Sequence, residues 1–232
     1  MRVYAIADPH LSSAAPKPMT IFGEAWEGHP ESFFEGWRKT VGEDDLVLVP
    51  GDVSWAMTLD GALLDLMDIA ALPGRKVLLR GNHDYWWSSI AKLRGALPKG
   101  MYAVQNDALR LENIVIAGTR GWVCPGNGEF SPDDEKIYQR EVGRLGLSLA
   151  AAKRMRQAGD KVVVMLHYPP TNARLEPSGF TSLLEGAQAD VIVYGHLHGE
   201  RRAPGLIGNT PCYLVAADAL EFRPKVLLEL PD

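Results

Sequence analysis

The chain has 232 residues with 46% hydrophobic and 23% charged side chains, an ordinary globular composition, and a formal net charge of −5. The acidic balance argues against sequence-blind binding to a long nucleic-acid backbone, which calls for a basic stripe. Met1-Arg2 leads at once into the strand-like Val3 to Ala7, so no secretory leader is expected, and no apolar run approaches membrane-spanning length. The two cysteines, Cys124 and Cys212, lie far apart without C-x-x-C spacing, so the expected setting is a reducing cytoplasm.

Taken in chain order, Val3 to Ala7 reads as a first buried strand and ends in Asp8-Pro9-His10. The stretch from Leu11 to Asp45 is the least strand-like, with Pro16, Pro18 and Pro30 and helical spacing over Glu31 to Thr40. It reads equally as a lid or wall over a site and as a surface excursion that packs Phe22, Trp26, Phe33 and Trp37. Leu46 to Val49 is the second strand, followed by Gly51-Asp52 and a helical segment from Leu59 to Ala71. Lys76 to Leu79 is the third, followed by Gly81-Asn82-His83-Asp84 and helical spacing from Trp87 to Leu97.

After Tyr102 the runs become short and turn-separated: Ala103-Val104, Leu109 to Leu111 and Ile114 to Ala117, with Tyr213 to Val215 and Val226 to Leu228 near the end. They suggest antiparallel or mixed pairing. A long helix is expected from Pro132 to Gln157, with Ser131 as N-cap, proline at its first position and Asp133, Asp134 and Glu135 in its first turn. Gly143 and Gly146 mark where a break would fall. Val162 to Leu166 leads to His167, and Val191 to Tyr194 leads to Gly195-His196-Leu197-His198. Alternating strands and helices define an α/β fold, with mixed strands in two packed sheets flanked by helices. Candidate ligands run from Asp8 to His198, so a single domain over residues 1–232 is expected.

Five of the six histidines thus sit directly behind strand-like runs, in company with Asp8, Asp52 and Asn82. The crevice outside the carboxyl ends of strands is where α/β sheets bind ligands, so five segments can converge there. Imidazole, carboxylate and amide oxygen suit Mn²⁺, Fe, Zn²⁺ or Co²⁺ better than Ca²⁺. Two cations about 3.5–4 Å apart need a bridging ligand, for which Asp52 is the natural candidate. Such a pair activates a bridging water and clamps phosphoryl oxygens. His83 can protonate the leaving group if Asp84 fixes its tautomer; Asp84 also reads as a cap for the segment that follows.

In order, these blocks are D-x-H, G-D, G-N-H-D, a lone histidine and G-H-x-H, and together they resemble the calcineurin-like metallophosphoesterases. The resemblance implies an α/β/β/α sandwich with a dinuclear centre. It implies Asp8, His10 and His198 on one metal, Asn82, His167 and His196 on the other, and Asp52 between them. It gives His83 and Asp84 the task of holding the phosphate and protonating the leaving group. Purple acid phosphatases carry a tyrosine ligand three residues after the bridging aspartate, where this chain has Trp55; no ferric tyrosinate centre is expected.

Outside the blocks, Arg120 follows the Ile114 to Ala117 strand and is a candidate contact for substrate phosphate. Tyr85, Trp86, Trp87, Trp55 and Tyr168 read either as a stacking rim for a nucleobase or as core. His29 matches no block and reads as a surface residue. The expected protein is a phosphoesterase acting through a metal-bridging hydroxide on a small phosphorylated substrate, a nucleotide among the options, with a phosphodiester slightly preferred over a monoester. A nuclease and a catalytically silent scaffold of the same fold are the alternatives.

Overall fold

Leu46-Val47-Leu48-Val49 contains no polar residue because both faces of this strand are covered: Leu46 and Leu48 enter one hydrophobic core, Val47 and Val49 another. The computed structural model describes residues 1–14, 16–126, 130–199 and 203–230. One sheet holds β1 (Arg2–Ala5), β2 (Leu46–Pro50), β3 (Arg75–Leu79) and β4 (Met101–Val104) in parallel, with β11 (Lys225–Glu229) antiparallel on β1. The second sheet has the order β5-β6-β7-β8-β10-β9. Its β6 (Ile114–Thr119), β7 (Lys161–Leu166), β8 (Val191–Tyr194) and β10 (Thr210–Leu214) are parallel, and β5 (Ala108–Leu111) and β9 (Gly205–Ile207) are antiparallel edges.

Inner faces meet through Val3, Ala5, Leu48 and Val77 from one sheet and Ile116, Val163, Met165 and Val193 from the other. Helices α1 (His29–Thr40), α2 (Leu59–Ala70) and α3 (Ile90–Ala96) cover the outer face of the first sheet, burying Phe33, Trp37, Leu66 and Leu93 against Val47, Val49 and Leu78. Helices α4 (Pro132–Met155) and α5 (Gly179–Glu185) cover the second, with Tyr138, Leu145, Phe180 and Leu184 on Val115, Val164 and Ile192. The result is the expected α/β/β/α sandwich of mixed strands. Each fully buried aliphatic or phenyl side chain contributes roughly 1.5–3 kcal/mol relative to exposure, so these three cores dominate the stability.

The short runs after Tyr102 pair in the mixed manner expected, β4 parallel to β3 and β6 parallel to β7 but antiparallel to β5. Two local expectations differ. The helix expected from Trp87 starts at Ile90, because Trp86 and Trp87 are buried anchors of the preceding loop and Ser89 Oγ caps the helix by accepting from Lys92 N at 3.2 Å. Helix α4 runs through Gly143 and Gly146 without a break. Its start is secured by a capping box, in which Ser131 Oγ accepts from Asp134 N and Asp134 accepts from Ser131 N. Strand β9, with two of its three residues exposed, carried no apolar signal. Among the described residues no helix is long and apolar enough to cross a membrane.

At one end the sheets are stitched together. Ala7 N donates to Val215 O (2.7 Å) and Ala217 N to Ala7 O (2.9 Å), while within the second sheet Gly195 N donates to His167 O (3.1 Å). The loops leaving β1, β2, β3, β7 and β8 therefore come together.

Candidate metal centre

Tight turns bring these loops close. Asp8, His10, Asp52 and His196 all have positive φ, at 58°, 47°, 51° and 71°. Non-glycine residues take up this left-handed region at a cost of about 1–3 kcal/mol each, and such residues cluster at functional sites. The glycines serve close approach: a Cβ on Gly81 would run into the Asp52 carboxylate, and one on Gly195 into Asp8 and Ala7.

Two groups of ligand-type side chains result: Asp8, His10 and His198, and Asp52, His167 and His196. In the first, His10 Nε2 and His198 Nε2 point at each other across 3.3 Å, while Asp8 Oδ2 accepts from His196 N at 2.9 Å. Asp8 Oδ1 and His10 Nδ1 are buried without a hydrogen-bond partner. In the second, Asn82 Oδ1 lies 2.6 Å from His167 Nε2 and 2.9 Å from His196 Nδ1. His167 Nδ1 sits 2.9 Å from Pro50 O; a carbonyl only accepts, so Nδ1 carries the proton and Nε2 keeps its lone pair toward the site. Asp52 joins the groups: its Oδ2 is 3.8 Å from His10 Nε2 and 3.5 Å from His167 Nε2.

Burial governs the electrostatics. It lowers His10 well below the ordinary imidazole value, His167 to about 3 and His196 to about 2, so these rings are neutral near pH 7 and their approaches to aspartates are not ion pairs. Burial, with help from Asp52, raises Asp8 well above the usual carboxylate range, and burial raises Asp52 to about 6. Neutral imidazole lone pairs, an amide oxygen and buried carboxylates, Asp8 with an unpartnered oxygen, make a donor set that fits divalent cations, whose charge would stabilise the ionised carboxylates.

His83 is half-buried beside this cluster, its ring 4.4 Å from Trp55, which in turn stacks on His10 at 4.9 Å. Asp84 is not its tautomer-fixing partner. Oδ1 of Asp84 accepts from Val53 N (2.8 Å), Ser54 N (3.2 Å) and Trp86 Nε1 (3.0 Å), and Oδ2 from Gly81 N (2.7 Å). The carboxyl ties the Asp52 loop to the Asn82 loop. Burial and the nearby Asp52 push it up to about 7 while the backbone N–H donors pull it down. Arg120 turns its guanidinium away toward Glu141 at 3.6 Å and over Trp122, while its carbonyl accepts from His167 N and Tyr168 N.

His29 is buried rather than at the surface: its Nε2 lies 2.7 Å from Pro9 O and its ring meets Trp26 edge-on, bracing the Asp8-Pro9-His10 turn. Trp86 and Trp87 are core, Tyr168 lies under His196 with ring centroids 4.0 Å apart, and Tyr85 is exposed. The Leu11 to Asp45 region contributes a wall, with Trp26 edge-on to His198 at 5.2 Å.

One residue that sequence reasoning missed is Asp218, whose Oδ1 lies 3.0 Å from His198 Nδ1 and whose Oδ2 accepts from Gly199 N at 2.7 Å. Burial opposes its charge, but the hydrogen bonds from His198 and Gly199 hold it below the ordinary carboxylate value. Outer carboxylates of this kind fix the tautomer and basicity of a ligating imidazole, and their loss lowers metal affinity about 10–100-fold. Asp218→Asn is expected to show that loss in a Mn²⁺ titration; unchanged affinity would contradict the positioning role.

A two-sheet sandwich with such a donor cluster across its strand ends has the architecture of a metal-dependent phosphoester hydrolase. The calcineurin-like phosphoesterase family model matches residues 1–200, and the chain belongs to that family. It is 41% identical over 78 residues to the Gene 66 protein of Mycobacterium phage L5, a match covering 34% of this chain and 37% of that protein. The chain thus matches little more than a third of the length of that relative. Its fold is similar to that of the phosphopantetheinyl hydrolase of Mycobacterium tuberculosis, with a TM-score of 0.60, 14% identity and coverage of 99% of this chain and 96% of that one.

Proposed function

We propose that this protein hydrolyses a small phosphodiester or phosphomonoester with two divalent cations, Mn²⁺, Fe or Zn²⁺. Asp8, His10 and His198 hold one, Asn82, His167 and His196 the other, and Asp52 both. The observation that carries the reading is Asp52 Oδ2 facing His10 Nε2 at 3.8 Å and His167 Nε2 at 3.5 Å, one nitrogen from each group. When bound, the cations supply Lewis acidity and a water acidic enough to attack phosphorus at neutral pH.

The chain's own residues do the rest. Asp84 and Asp218 position the loops and His198, Trp26 and Trp55 exclude water from the His10 side, and His83 gives a proton to the leaving oxygen. The site draws on both sheets from Asp8 to His198, so the chain acts as one catalytic domain. Tyr85, 54% exposed and 6.3 Å from the His83 ring, is an aromatic group placed to stack on a substrate base. A reducing cytoplasm accords with Cys124 and Cys212 being buried free thiols.

The test strips metal with a chelator, restores Mn²⁺ and compares bis-p-nitrophenyl phosphate with p-nitrophenyl phosphate. Turnover is expected to return with Mn²⁺ and to favour the diester. Bound metal without turnover of either ester would count against the reading.

A further inference from the structure

Beside the metal centre lies a second cavity, of about 220 Å³, into which Arg80, Arg120, Arg140 and Arg144 converge around Glu141, with Asn106 on its wall. Glu141 is 1% exposed and is shared: Oε1 lies 2.6 Å from Arg144 Nη1, 3.6 Å from Arg120 Nη2 and 3.8 Å from Arg140 Nε. Its Oε2 accepts from Thr119 Oγ1 at 2.9 Å. Arg80 adds a further guanidinium whose Nε is buried with no hydrogen-bond partner. Burial lowers Arg120 from its ordinary value, Glu141 opposes this, and the charges of Arg80 and Arg140 reinforce it. Three guanidiniums on one carboxylate, with Arg80 a fourth on the same wall, leave a surplus of positive charge in a partly dehydrated pocket, where guanidinium forks match phosphate oxygens in geometry.

We infer that this pocket binds a phosphate group distinct from the one being hydrolysed. Its lining shares no residue with the metal centre but is tied to it through the backbone, since Arg80 directly precedes Gly81-Asn82-His83 and the Arg120 carbonyl holds His167 N (3.1 Å) and Tyr168 N (2.9 Å). The bound group is therefore the second phosphate of a substrate that carries two, a deepening that rests on the phosphoesterase reading.

Equilibrium dialysis of radiolabelled inorganic phosphate against the Mn²⁺-loaded protein tests the pocket. Wild type is expected to show two classes of site, one lost in Asp52→Asn and the other weakened about tenfold or more, the scale of one charged hydrogen bond, in Arg140→Gln/Arg144→Gln. Equal binding by wild type and the arginine variant overturns the proposal. Arg140→Gln alone changes a side chain that is 53% exposed, so its smaller loss reads binding with no question of misfolding. Kinetics then locate the phosphate, using the p-nitrophenyl ester of thymidine monophosphate with and without a second phosphate on the sugar. A kcat/KM ratio between the two esters that falls in the arginine variant assigns the group to substrate, and a ratio that holds while dialysis shows the loss assigns the pocket to free phosphate. Failure of the phosphoesterase reading is separately visible, as wild type that binds phosphate in the pocket but turns over neither ester.

Discussion

Asp52→Asn is expected to lower kcat/KM by about three orders of magnitude and to leave the purified protein short of metal. The substitution keeps the size of the side chain and the Oδ1 acceptor that takes His83 N at 2.8 Å, so the loop has no steric reason to move. What it removes is the negative charge on the oxygen set between His10 and His167. If Oδ2 becomes an amide nitrogen, it can only donate, and it would face two neutral imidazoles and any cation they hold. A loss on the order of 10³ corresponds to ~4 kcal/mol of transition-state stabilisation, the upper range for a single electrostatic group. Metal analysis beside steady-state kinetics reads both effects. Wild-type rates with a full metal complement would sink the bridging assignment, and wild-type metal with lost rate would move Asp52 from ligand to orienting group.

What the sequence made legible was local. Each candidate ligand follows a buried strand within a few residues, so the apolar run and the polar terminus are read together, and parallel packing delivers them to one end. What it hid depended on tertiary distance. Asp84 sits next to His83 in the chain, which suggests a catalytic pair, yet its Oδ1 is taken by N–H groups from a loop 30 residues away and its Oδ2 by Gly81 N. His29 looked exposed because neither Trp26 edge-on to its ring nor the Pro9 carbonyl opposite its Nε2 is visible in a linear pattern. Asp218 did carry a signal. It closes the β10 run as Asp52 closes β2, three residues after Val215, but no histidine accompanies it, and its partner His198 is 20 residues upstream. An aspartate after a buried strand in a chain already rich in strand-end histidines deserves to be read as a second carboxylate layer.

His83→Ala should separate chemistry from metal binding. The His83 ring lies against Trp55 and Tyr85 rather than within either ligand group, so its removal leaves both groups intact and metal content is expected to match wild type. Losing a positioned general acid lowers rate about 10²–10⁴-fold, and the size of the loss depends on how badly the leaving oxygen needs the proton. An alkyl phosphoester, whose alkoxide is a poor leaving group, is expected to suffer the full effect. A p-nitrophenyl ester, whose phenolate departs without protonation, is expected to lose much less. Burial holds the His83 ring below the ordinary imidazole value, partly countered by the Asp52 charge. The imidazolium is thus the minor form at neutral pH and the proton it carries is readily released. A structural role for His83, through its packing on Trp55, would slow both esters equally. Equal losses on the two leaving groups would therefore remove His83 from proton transfer, and the alkyl-selective loss would assign it.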